Sequence, residues 1–379
     1  MNKYLHNKKI SVIGIGYVGL PLSLALSKKY KVLAFDKNKV RINELKKGID
    51  RNNTFRIKSN KNLIFTNDNN ELNNTDIFIV TVPTPINKDK TPNLKLLIEA
   101  TKFVSKFLEK GNFVIYESTV YPGTTDSICI PILESKSKLK INQDFFCGFS
   151  PERINPGDKI NTINKIKKIT SGSNHFAANV IDSLYKSILL KGTHKMNSII
   201  EAESAKIIEN VQRDINIAFM NELSIIFNKL DINFSNVLKA ASTKWNFLNF
   251  KPGLVGGHCI SVDPYYLSYL CKSIGYNPKI INSGRSLNDH MPIYISRQIH
   301  KQFNKKFPNI KKPKLLILGF AYKKNLKDIR NSKVFDIYTY FKKRLFNVNL
   351  FDPLINDSEL LNMYNIKNDL KALNKKNYY

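Results

Sequence analysis

The chain has 379 residues, of which 42% are hydrophobic and 11% aromatic, and this composition excludes an intrinsically disordered protein. No stretch is long and apolar enough to span a membrane, and the four cysteines form no C-x-x-C pair, so neither a disulfide framework nor a zinc site is indicated. We therefore predict two or three domains in a reducing cytoplasm, without membrane association or a bound metal.

The charge is strongly one-sided, with 60 Lys and Arg against 30 Asp and Glu and a formal net charge of +30 at pH 7. Such an excess is typical of proteins that bind nucleic acid or an anionic surface. The lysines, however, are spread from Lys3 to Lys376 without a dense block, and Asn is over-used alongside Lys. We favour a compositional bias of the genome, with part of the excess serving an anionic small-molecule substrate, and keep a nucleic-acid-binding protein as the alternative.

The N-terminal half has the pattern of repeated βα units. Short, β-rich apolar runs predict strands over 9–13, 31–35, 77–82, 113–116 and 147–149. Helical apolar spacing follows over 20–29 and again over 95–109. Strands that alternate with helices predict a parallel, doubly wound α/β sheet.

A glycine motif lies between the first strand and the first helix, where Gly14, Gly16 and Gly19 fit G-x-G-x-x-G. The first glycine permits a tight turn, the second lets backbone approach a pyrophosphate, and the third lets the helix pack on the strand. The helix N-terminus attracts the phosphates. Asp36, at the end of the second strand, is placed to bind ribose hydroxyls and would repel a 2′-phosphate. The order of these features predicts NAD binding rather than NADP binding.

Residues 199–230 have a long helical period without Pro or Gly, so we predict one helix that bridges two lobes or forms a dimer seam. Its apolar stripe contains Ile207, Val211, Ile215, Phe219, Leu223 and Phe227. Lys206 and Asn210 share another face, which Arg213 and Asp214 extend. Polar residues on so apolar a helix either face solvent or line a site, and the spacing alone favours solvent.

Cys259 follows a glycine-rich loop over 252–258 and ends the string Gly256-Gly257-His258-Cys259. Glycines open access to the sulfur and leave backbone N–H groups available to an oxyanion, so a nucleophile and a structural cysteine are equally compatible with the local sequence. The other three cysteines lie in apolar or helical runs and are predicted to be core residues: Cys129, Cys147 and Cys271.

Two acids sit at positions suited to ligand binding. Glu152 follows a predicted strand, where α/β proteins bind their ligands, although a solvated loop acid fits the sequence equally well. Asp263, just after Cys259 and before Pro264, either orients water or a base or forms an Asx turn.

A third segment begins after the Lys- and Pro-rich linker at 305–313. It contains a predicted strand over 315–319, a helix over 332–344 and a strand over 348–351, the start of a second Rossmann-like sheet. These elements and a Lys- and Asn-rich tail do not complete a sheet of usual width.

Together these residues resemble the UDP-glucose/GDP-mannose dehydrogenase family. The matching strings cover nearly the whole chain and lie at 14–21, 82–85, 117–124, 150–153, 203–210, 256–260 and 323–331. The strings at 151–157 and 212–216 are most similar to the branch that oxidises UDP-N-acetylhexosamines for surface polysaccharides such as capsule and O-antigen.

The resemblance implies two Rossmann-like domains joined by the long helix, in a homodimer. It places an NAD-binding domain at 1–196, a central helical dimerisation and catalytic-cysteine region at 197–304, and a nucleotide-sugar-binding domain at 305–379. Family members continue past Asp352-Pro353 with further strands, whereas this sequence stops at Tyr379. We therefore expect an incomplete, truncated last domain with weak substrate affinity, or an inactive homologue.

The resemblance also implies a two-step oxidation of C6 of the sugar. Hydride transfer to NAD gives an aldehyde, which Cys259 attacks to form a thiohemiacetal; a second hydride transfer leaves a thioester that water hydrolyses to the uronate. A cysteine is needed because the aldehyde must be held covalently between the two transfers. Lys206 takes part in proton transfer and, with Asn210, stabilises the oxyanion. Water is positioned or activated by Thr119, Glu152 and Asp263.

Binding residues follow from the same resemblance. The NAD site comprises Gly14, Gly16, Tyr17, Val18, Gly19, Asp36, Arg41, Pro83, Thr84 and Thr119. The UDP-sugar site comprises Glu152, Arg153, Lys206, Asn210, Gly256, Lys323 and Arg330. The sequence leaves open a relative that acts on UDP-glucose, UDP-N-acetylmannosamine or GDP-mannose instead.

Overall fold

Residues 3–51, 57, 60–152, 165–371 and 378 are described by the computed structural model. The chain divides into two units, the first formed by Met1–Ile208 and Tyr265–Leu270 and the second by Glu209–Pro264 and Cys271–Tyr379. Each unit has its own hydrophobic clusters. Among the described residues, no helix has both the length and the hydrophobicity needed to cross a bilayer.

The first unit is organised by an eight-stranded sheet. Its strands are β1 Lys9–Ile13, β2 Lys31–Phe35, β3 Leu63–Thr66, β4 Ile77–Val80, β5 Phe113–Tyr116, β6 Phe146–Phe149, β7 Lys168–Gly172 and β8 Thr193–Lys195. They lie in the order β3-β2-β1-β4-β5-β6-β7-β8 and pair in parallel, apart from the antiparallel pair β6–β7. The first six strands have the Rossmann order, which reverses between β1 and β4 and opens a ligand crevice at the carboxyl ends of the strands. The predicted parallel α/β fold is confirmed.

Hydrophobic packing on both faces explains why these strands are apolar throughout. Along β4, Ile77 and Ile79 belong to one buried cluster, whereas Phe78 and Val80 belong to the cluster on the other face. Alternate side chains of a strand point to opposite faces, so a strand buried on both sides needs an unbroken apolar run.

The helices of the first unit are α1 Gly19–Leu26, α2 Lys39–Lys46, α3 Lys95–Val104, α4 Ile130–Ser137 and α5 His175–Lys186, and a π-helical turn over Thr125–Cys129 leads into α4. The helix predicted over 95–109 is too long, because after Val104 the chain tightens into a turn. Lys106 N–H donates to Phe103 O and Phe107 N–H to Val104 O, which are i to i−3 bonds.

The second unit contains helices and a small parallel sheet. Its elements are α7 Phe234–Ala241, α9 Lys279–Lys306, β9 Lys314–Leu318, α10 Val334–Lys342, β10 Asn347–Phe351 and α11 Asp357–Tyr364. α8, Asp263–Ser273, lies across the boundary between the units in sequence. The predicted strand–helix–strand order after the linker is confirmed. The 28-residue α9 was not predicted, since Gly284 and Pro292 interrupt its sequence.

α6 spans Ile199–Lys229, in agreement with the predicted long helix. The solvent-facing interpretation is wrong for Lys206, Asn210 and Asp214, which are buried, whereas Arg213 is partly exposed in a pair with Glu209. Asp214 is fully buried, where it accepts hydrogen bonds from Arg285 Nη1 at 2.6 Å and Asn288 Nδ2 at 2.7 Å on α9. Phe219, assigned to the apolar stripe, is instead 52% exposed. α6 therefore turns polar residues towards α9, where Arg285 and Asn288 bind Asp214 and Asn288 binds Asn221.

Candidate active site

Four of the predicted motifs meet at one edge of the sheet in the first unit. The segments 14–19, 82–85, 118–119 and 150–152 follow directly after β1, β4, β5 and β6. Because the carboxyl ends of parallel strands lie at the same edge, the fold gathers these four segments around one crevice.

The glycine loop has the shape that a dinucleotide needs. Gly14 has a φ of +96°, and a Cβ at Gly19 would lie 2.1 Å from the carbonyl oxygen of Gly14, so neither position accepts a side chain. A Cβ at Gly16 would meet no described atom within 4 Å. Backbone that is exposed at Gly16 and followed at once by α1 fits the pyrophosphate of NAD. Tyr17 and Val18 complete the loop and are half-buried.

Asp36 lies beside the glycine loop, as predicted. Its Oδ2 accepts a hydrogen bond from Ile15 N–H at 2.8 Å, and its Oδ1 accepts one from Asn38 N–H at 2.8 Å. The Arg41 side chain, predicted to bind the cofactor, is buried with Nε donating to Ile15 O at 3.1 Å and Nη2 2.9 Å from Asp50 Oδ1. Asp36 binds the backbone N–H of Ile15 and Arg41 binds its backbone C=O, so the centre of the loop is fixed on both sides.

We expect Asp36→Ala to weaken NAD binding by about 1.5–3 kcal/mol, because a charge-assisted hydrogen bond to the ribose is lost. It should also narrow the preference for NAD over NADP. The measurement is the Michaelis constant for each cofactor, with Asp144→Ala, at the opposite edge of the sheet, as the matched control. An unchanged constant for NAD would contradict the ribose role.

The segments after β4 and β5 are tied together. Thr84 Oγ1 donates to Thr119 O at 2.5 Å, and Ser118 Oγ donates to Val82 O at 2.6 Å. Tyr266 of α8 donates from its hydroxyl to Thr84 O at 2.6 Å. Thr84 and Thr119 are thus held in one rim of the crevice, with Pro83 exposed beside them.

Glu152 is buried, which excludes a solvated loop acid. Its Oε2 lies 3.8 Å from Lys168 Nζ, which in turn lies 2.9 Å from Glu117 Oε2 and donates to Pro151 O at 2.9 Å. The Tyr185 hydroxyl donates to Glu117 Oε1 at 2.5 Å. Burial raises the pKa of Glu117 to about 7, although the Lys168 charge opposes that rise. We call Glu117, Glu152, Lys168 and Tyr185 the buried ion cluster.

Sequence reasoning assigned no role to Glu117 or Lys168. Glu117 lies in a string that matched the family, but Lys168 belongs to a lysine-rich stretch that gives no signal of burial. Arg153, predicted to bind substrate, lies outside the described residues.

The first part of α6 stabilises the turn that contains Gly123 and Thr125 in the first unit. Glu203 accepts hydrogen bonds from Gly123 N–H at 2.5 Å and from Thr125 N–H at 2.9 Å. Burial raises the pKa of Glu203 to about 7. Lys206, one turn further along the helix, is buried as well, so the solvent-facing interpretation is wrong for it too.

In the second unit, α6 holds both ends of the segment that contains Cys259. Asn221 forms two hydrogen bonds with the backbone of Gly253, at 3.0 and 2.8 Å. Asn210, which is buried rather than exposed to solvent, donates from Nδ2 to Asp263 Oδ2 at 2.5 Å. The polar residues of α6 thus fix the loop before and after the cysteine.

The turn around Cys259 depends on its glycines. Gly257 has a φ of +87°, and a Cβ there would lie 2.6 Å from the Tyr322 ring. A Cβ at Gly256 would lie 2.8 Å from Asn331 O. Val262 N–H and Asp263 N–H both donate to Cys259 O at 2.9 Å, so the cysteine opens a helical turn.

The cysteines differ in burial. Cys129 and Cys147 are core residues, as predicted, and burial raises the pKa of Cys129 to about 12. Cys259 and Cys271 are half-buried, so the core prediction for Cys271 is wrong. Cys271 lies near the C-terminal end of α8, where the helix is partly exposed.

The loop between β9 and α10 carries Lys323 and Arg330, the predicted contacts to an anionic substrate. Arg330 binds Asp328, with Nε 2.9 Å from Oδ1 and Nη2 2.5 Å from Oδ2. His258 Nδ1 lies 3.2 Å from Asp328 Oδ2. Burial alone would raise the pKa of Asp328, but the bonds from Arg330 and His258 outweigh it and hold that pKa well below its usual range. Neither His258 nor Asp328 was given a role from the sequence, although His258 lies within the cysteine motif.

Comparison with known protein families accounts for most of the chain. Residues 8–189 match the NAD binding domain of the UDP-glucose/GDP-mannose dehydrogenase family. Residues 200–290 match the central domain of that family, and residues 316–377 match its UDP binding domain.

Individual relatives are similar over nearly their whole length. The UDP-N-acetyl-D-glucosamine 6-dehydrogenase of Pseudomonas aeruginosa is 49% identical over 94% of this chain and 86% of its own length. The enzyme of the same name from Salmonella typhi is 50% identical over 94% of this chain and 85% of its own. Among solved structures, a UDP-D-ManNAc dehydrogenase from Pyrococcus horikoshii matches with a TM-score of 0.85 and 28% identity, covering 92% of this chain and 84% of that one.

Proposed function

This chain belongs to the UDP-glucose/GDP-mannose dehydrogenase family, as an NAD-dependent nucleotide-sugar 6-dehydrogenase, and we propose that its substrate is a UDP-N-acetylhexosamine. The observation that carries this proposal is a sequence identity of 49% and 50% to two enzymes that are named for UDP-N-acetyl-D-glucosamine. We propose that the product is a uronate used in surface polysaccharide synthesis, as in capsule or O-antigen.

Residues of the first unit hold the cofactor. The glycine loop and Asp36 bind NAD, which when bound accepts hydride from the substrate in each of two oxidations. The rim formed by Thr84 and Thr119 borders the same crevice. The three family segments correspond in this proposal to an NAD-binding domain at 1–196, a central region at 197–304 and a nucleotide-sugar domain at 305–379.

In this proposal, Cys259 binds C6 of the sugar covalently between the two oxidations. Its thiolate adds to the C6 aldehyde, forming a C–S bond and an oxyanion. Loss of hydride then leaves a thioester, to which water adds, and the C–S bond breaks to release the carboxylate and the thiolate. The backbone N–H groups of the glycine turn are available to stabilise the oxyanion in this proposal.

The remaining predicted residues have supporting roles in this proposal. Lys206 takes part in proton transfer and, with Asn210, stabilises the oxyanion, and the short hydrogen bond from Asn210 supports Asp263 as a residue that orients water. Glu152 and Thr119 position the sugar and water at the sheet edge. Arg153, Lys323 and Arg330 bind the anionic diphosphate, for which cationic side chains are suited.

We propose that the enzyme is a homodimer. Large apolar side chains are exposed along the second half of α6 and the turn that follows it, namely Phe219, Ile226, Leu230 and Ile232. Exposed apolar residues that recur along one element are typical of an interface. Sedimentation equilibrium distinguishes a dimer from a monomer.

Product stoichiometry tests the proposed reaction. We expect two NADH for each uronate, with little free aldehyde, because Cys259 retains the aldehyde. The panel contains UDP-N-acetylglucosamine, UDP-N-acetylgalactosamine, UDP-N-acetylmannosamine, UDP-glucose and GDP-mannose, and we expect the highest kcat/KM with the first. One NADH per sugar with released aldehyde would refute the covalent mechanism. A higher kcat/KM with UDP-glucose or GDP-mannose would refute the proposal that the substrate is a UDP-N-acetylhexosamine.

A further inference from the structure

His258 directly precedes Cys259, and the reaction described above leaves its imidazole without a task. The ring is in hydrogen-bonding contact with the Cys259 thiol. Its Nδ1 lies 3.2 Å from Asp328 Oδ2 and 3.2 Å from Arg330 Nη2, and its edge meets the Tyr322 ring at a centroid distance of 6.1 Å. Cys259, His258 and Asp328 therefore form a row of thiol, imidazole and carboxylate within the second unit.

The two contacts at Nδ1 require different protonation states of that nitrogen, which the neutral ring can meet as two different tautomers. A guanidinium only donates hydrogen bonds, so the contact with Arg330 needs an Nδ1 without a proton. A carboxylate only accepts, so the contact with Asp328 needs a proton on Nδ1. With Nδ1 protonated towards Asp328, the neutral ring leaves Nε2 free to take a proton, and the same carboxylate then stabilises the imidazolium; the tautomer with a bare Nδ1 towards Arg330 carries its proton on Nε2 and cannot act as a base there.

The charges around His258 also permit a proton to move. Asp328 and Arg330 cancel each other, so a neutral thiol with a neutral ring and a thiolate with an imidazolium both leave this group of four side chains with zero net charge. Burial lowers the pKa of His258, but its bonds to Asp328 and Cys259 outweigh both burial and the Arg330 charge and raise that pKa to about 9.

We propose that His258 is a catalytic residue that takes the proton of the Cys259 thiol, and that Asp328 is a positioning residue that stabilises the resulting imidazolium. With Nδ1–H held by Asp328, the S–H bond breaks and an N–H bond forms at Nε2, leaving the thiolate that attacks the C6 aldehyde. When water later cleaves the thioester, the same imidazolium stabilises the departing thiolate. This inference rests on the proposed function, because it names the base for that nucleophile.

The test is the pH dependence of Cys259 alkylation by iodoacetamide, followed by mass spectrometry in a Cys271→Ser background. We expect the parent protein to react with a midpoint below the value of about 8.5 usual for an ordinary cysteine. His258→Gln should raise the midpoint by about one pH unit or more and slow alkylation at pH 7 by about tenfold, since a unit of pH changes the thiolate fraction tenfold. Asp328→Asn should shift the midpoint in the same direction by a smaller amount.

His290→Gln is the matched control, because His290 is an exposed histidine on α9 of the same unit, bonded only to its own helix at Ser286 O among the described contacts. It should leave the midpoint unchanged. An unchanged midpoint in His258→Gln would overturn the proposal. If that variant does not fold, judged by circular dichroism, an unshifted midpoint in Asp328→Asn, which keeps the ring, would overturn it instead.

Alkylation needs no turnover, so the two proposals fail separately. A parent protein that yields two NADH per uronate while His258→Gln alkylates normally would refute only the role of His258. A parent protein that oxidises no nucleotide sugar would refute the proposed function, whatever the alkylation midpoint.

Discussion

Cys259→Ser is expected to abolish uronate formation, with a loss of about a thousandfold or more in complete turnover. A serine hydroxyl ionises far less readily than a thiol near neutral pH, and an oxygen ester is a poorer intermediate than a thioester. NAD affinity should be unchanged, because the glycine loop and Asp36 belong to the first unit and Cys259 to the second. The substitution therefore separates cofactor binding from the chemistry on C6.

The assay measures NADH and uronate together, with NAD binding followed by fluorescence titration. Cys271→Ser is the matched control, since Cys271 is also a half-buried cysteine of the second unit but lies outside the glycine turn. It should retain normal turnover. Uronate produced by Cys259→Ser at close to the normal rate would remove Cys259 as the nucleophile.

The parallel sheet was predictable from the sequence because each central strand is buried on both faces. Runs such as Ile77–Val80 and Phe113–Tyr116 are apolar throughout, and the turn after β1 needs glycines that no other residue replaces. Local sequence and tertiary environment demand the same residues there, so the pattern was sufficient.

The sequence failed to predict α9 and the buried polar face of α6, because the local residues there do not favour the structure that forms. α9 contains Gly284 and Pro292, which disfavour a helix locally, but Gly284 lies against Ala218 and Ile215 of α6, so tertiary packing supports the helix there. The polar residues of α6 indicated a solvated face, yet α9 supplies Arg285 and Asn288 to neutralise and hydrogen-bond them. Partners about 70 residues away in sequence give no local signal, so only the structure identifies the face as buried.

The same limit applies to functional side chains. Cys259 was identifiable because glycines surround it in the sequence, whereas His258 gains its significance from Asp328, which lies 70 residues further along the chain. Lys168 was not identifiable, because its neighbours are ordinary exposed lysines and its partners follow two other strands. Chemistry assembled by the ends of separate strands becomes visible only when the sheet order is known.

Lys168→Met is expected to lower the free energy of unfolding by about 3–5 kcal/mol, because it removes the cation that two buried carboxylates face. Lys168 and Glu117 are fully buried, and Glu152 is 7% exposed, so water does not replace the lost charge. Urea denaturation of the parent and the variant measures the difference. Lys186→Met is the matched control, since Lys186 is largely exposed in its pair with Asp182 and should cost about 1 kcal/mol at most.

The pH dependence identifies the cause of that loss. Glu117 has a pKa raised by burial to about 7 even with Lys168 present, so between its ordinary pKa and about 7 the folded state binds more protons than the unfolded state. Stability contributed by this group therefore falls as pH rises through that window. Without Lys168 the carboxyl should hold its proton more strongly, so the destabilisation of Lys168→Met should shrink from pH 8 to pH 5. Adding Glu117→Gln to Lys168→Met should recover part of the loss at pH 8. A penalty that is independent of pH and unrelieved by the second substitution would show that packing, rather than charge, holds the buried ion cluster together.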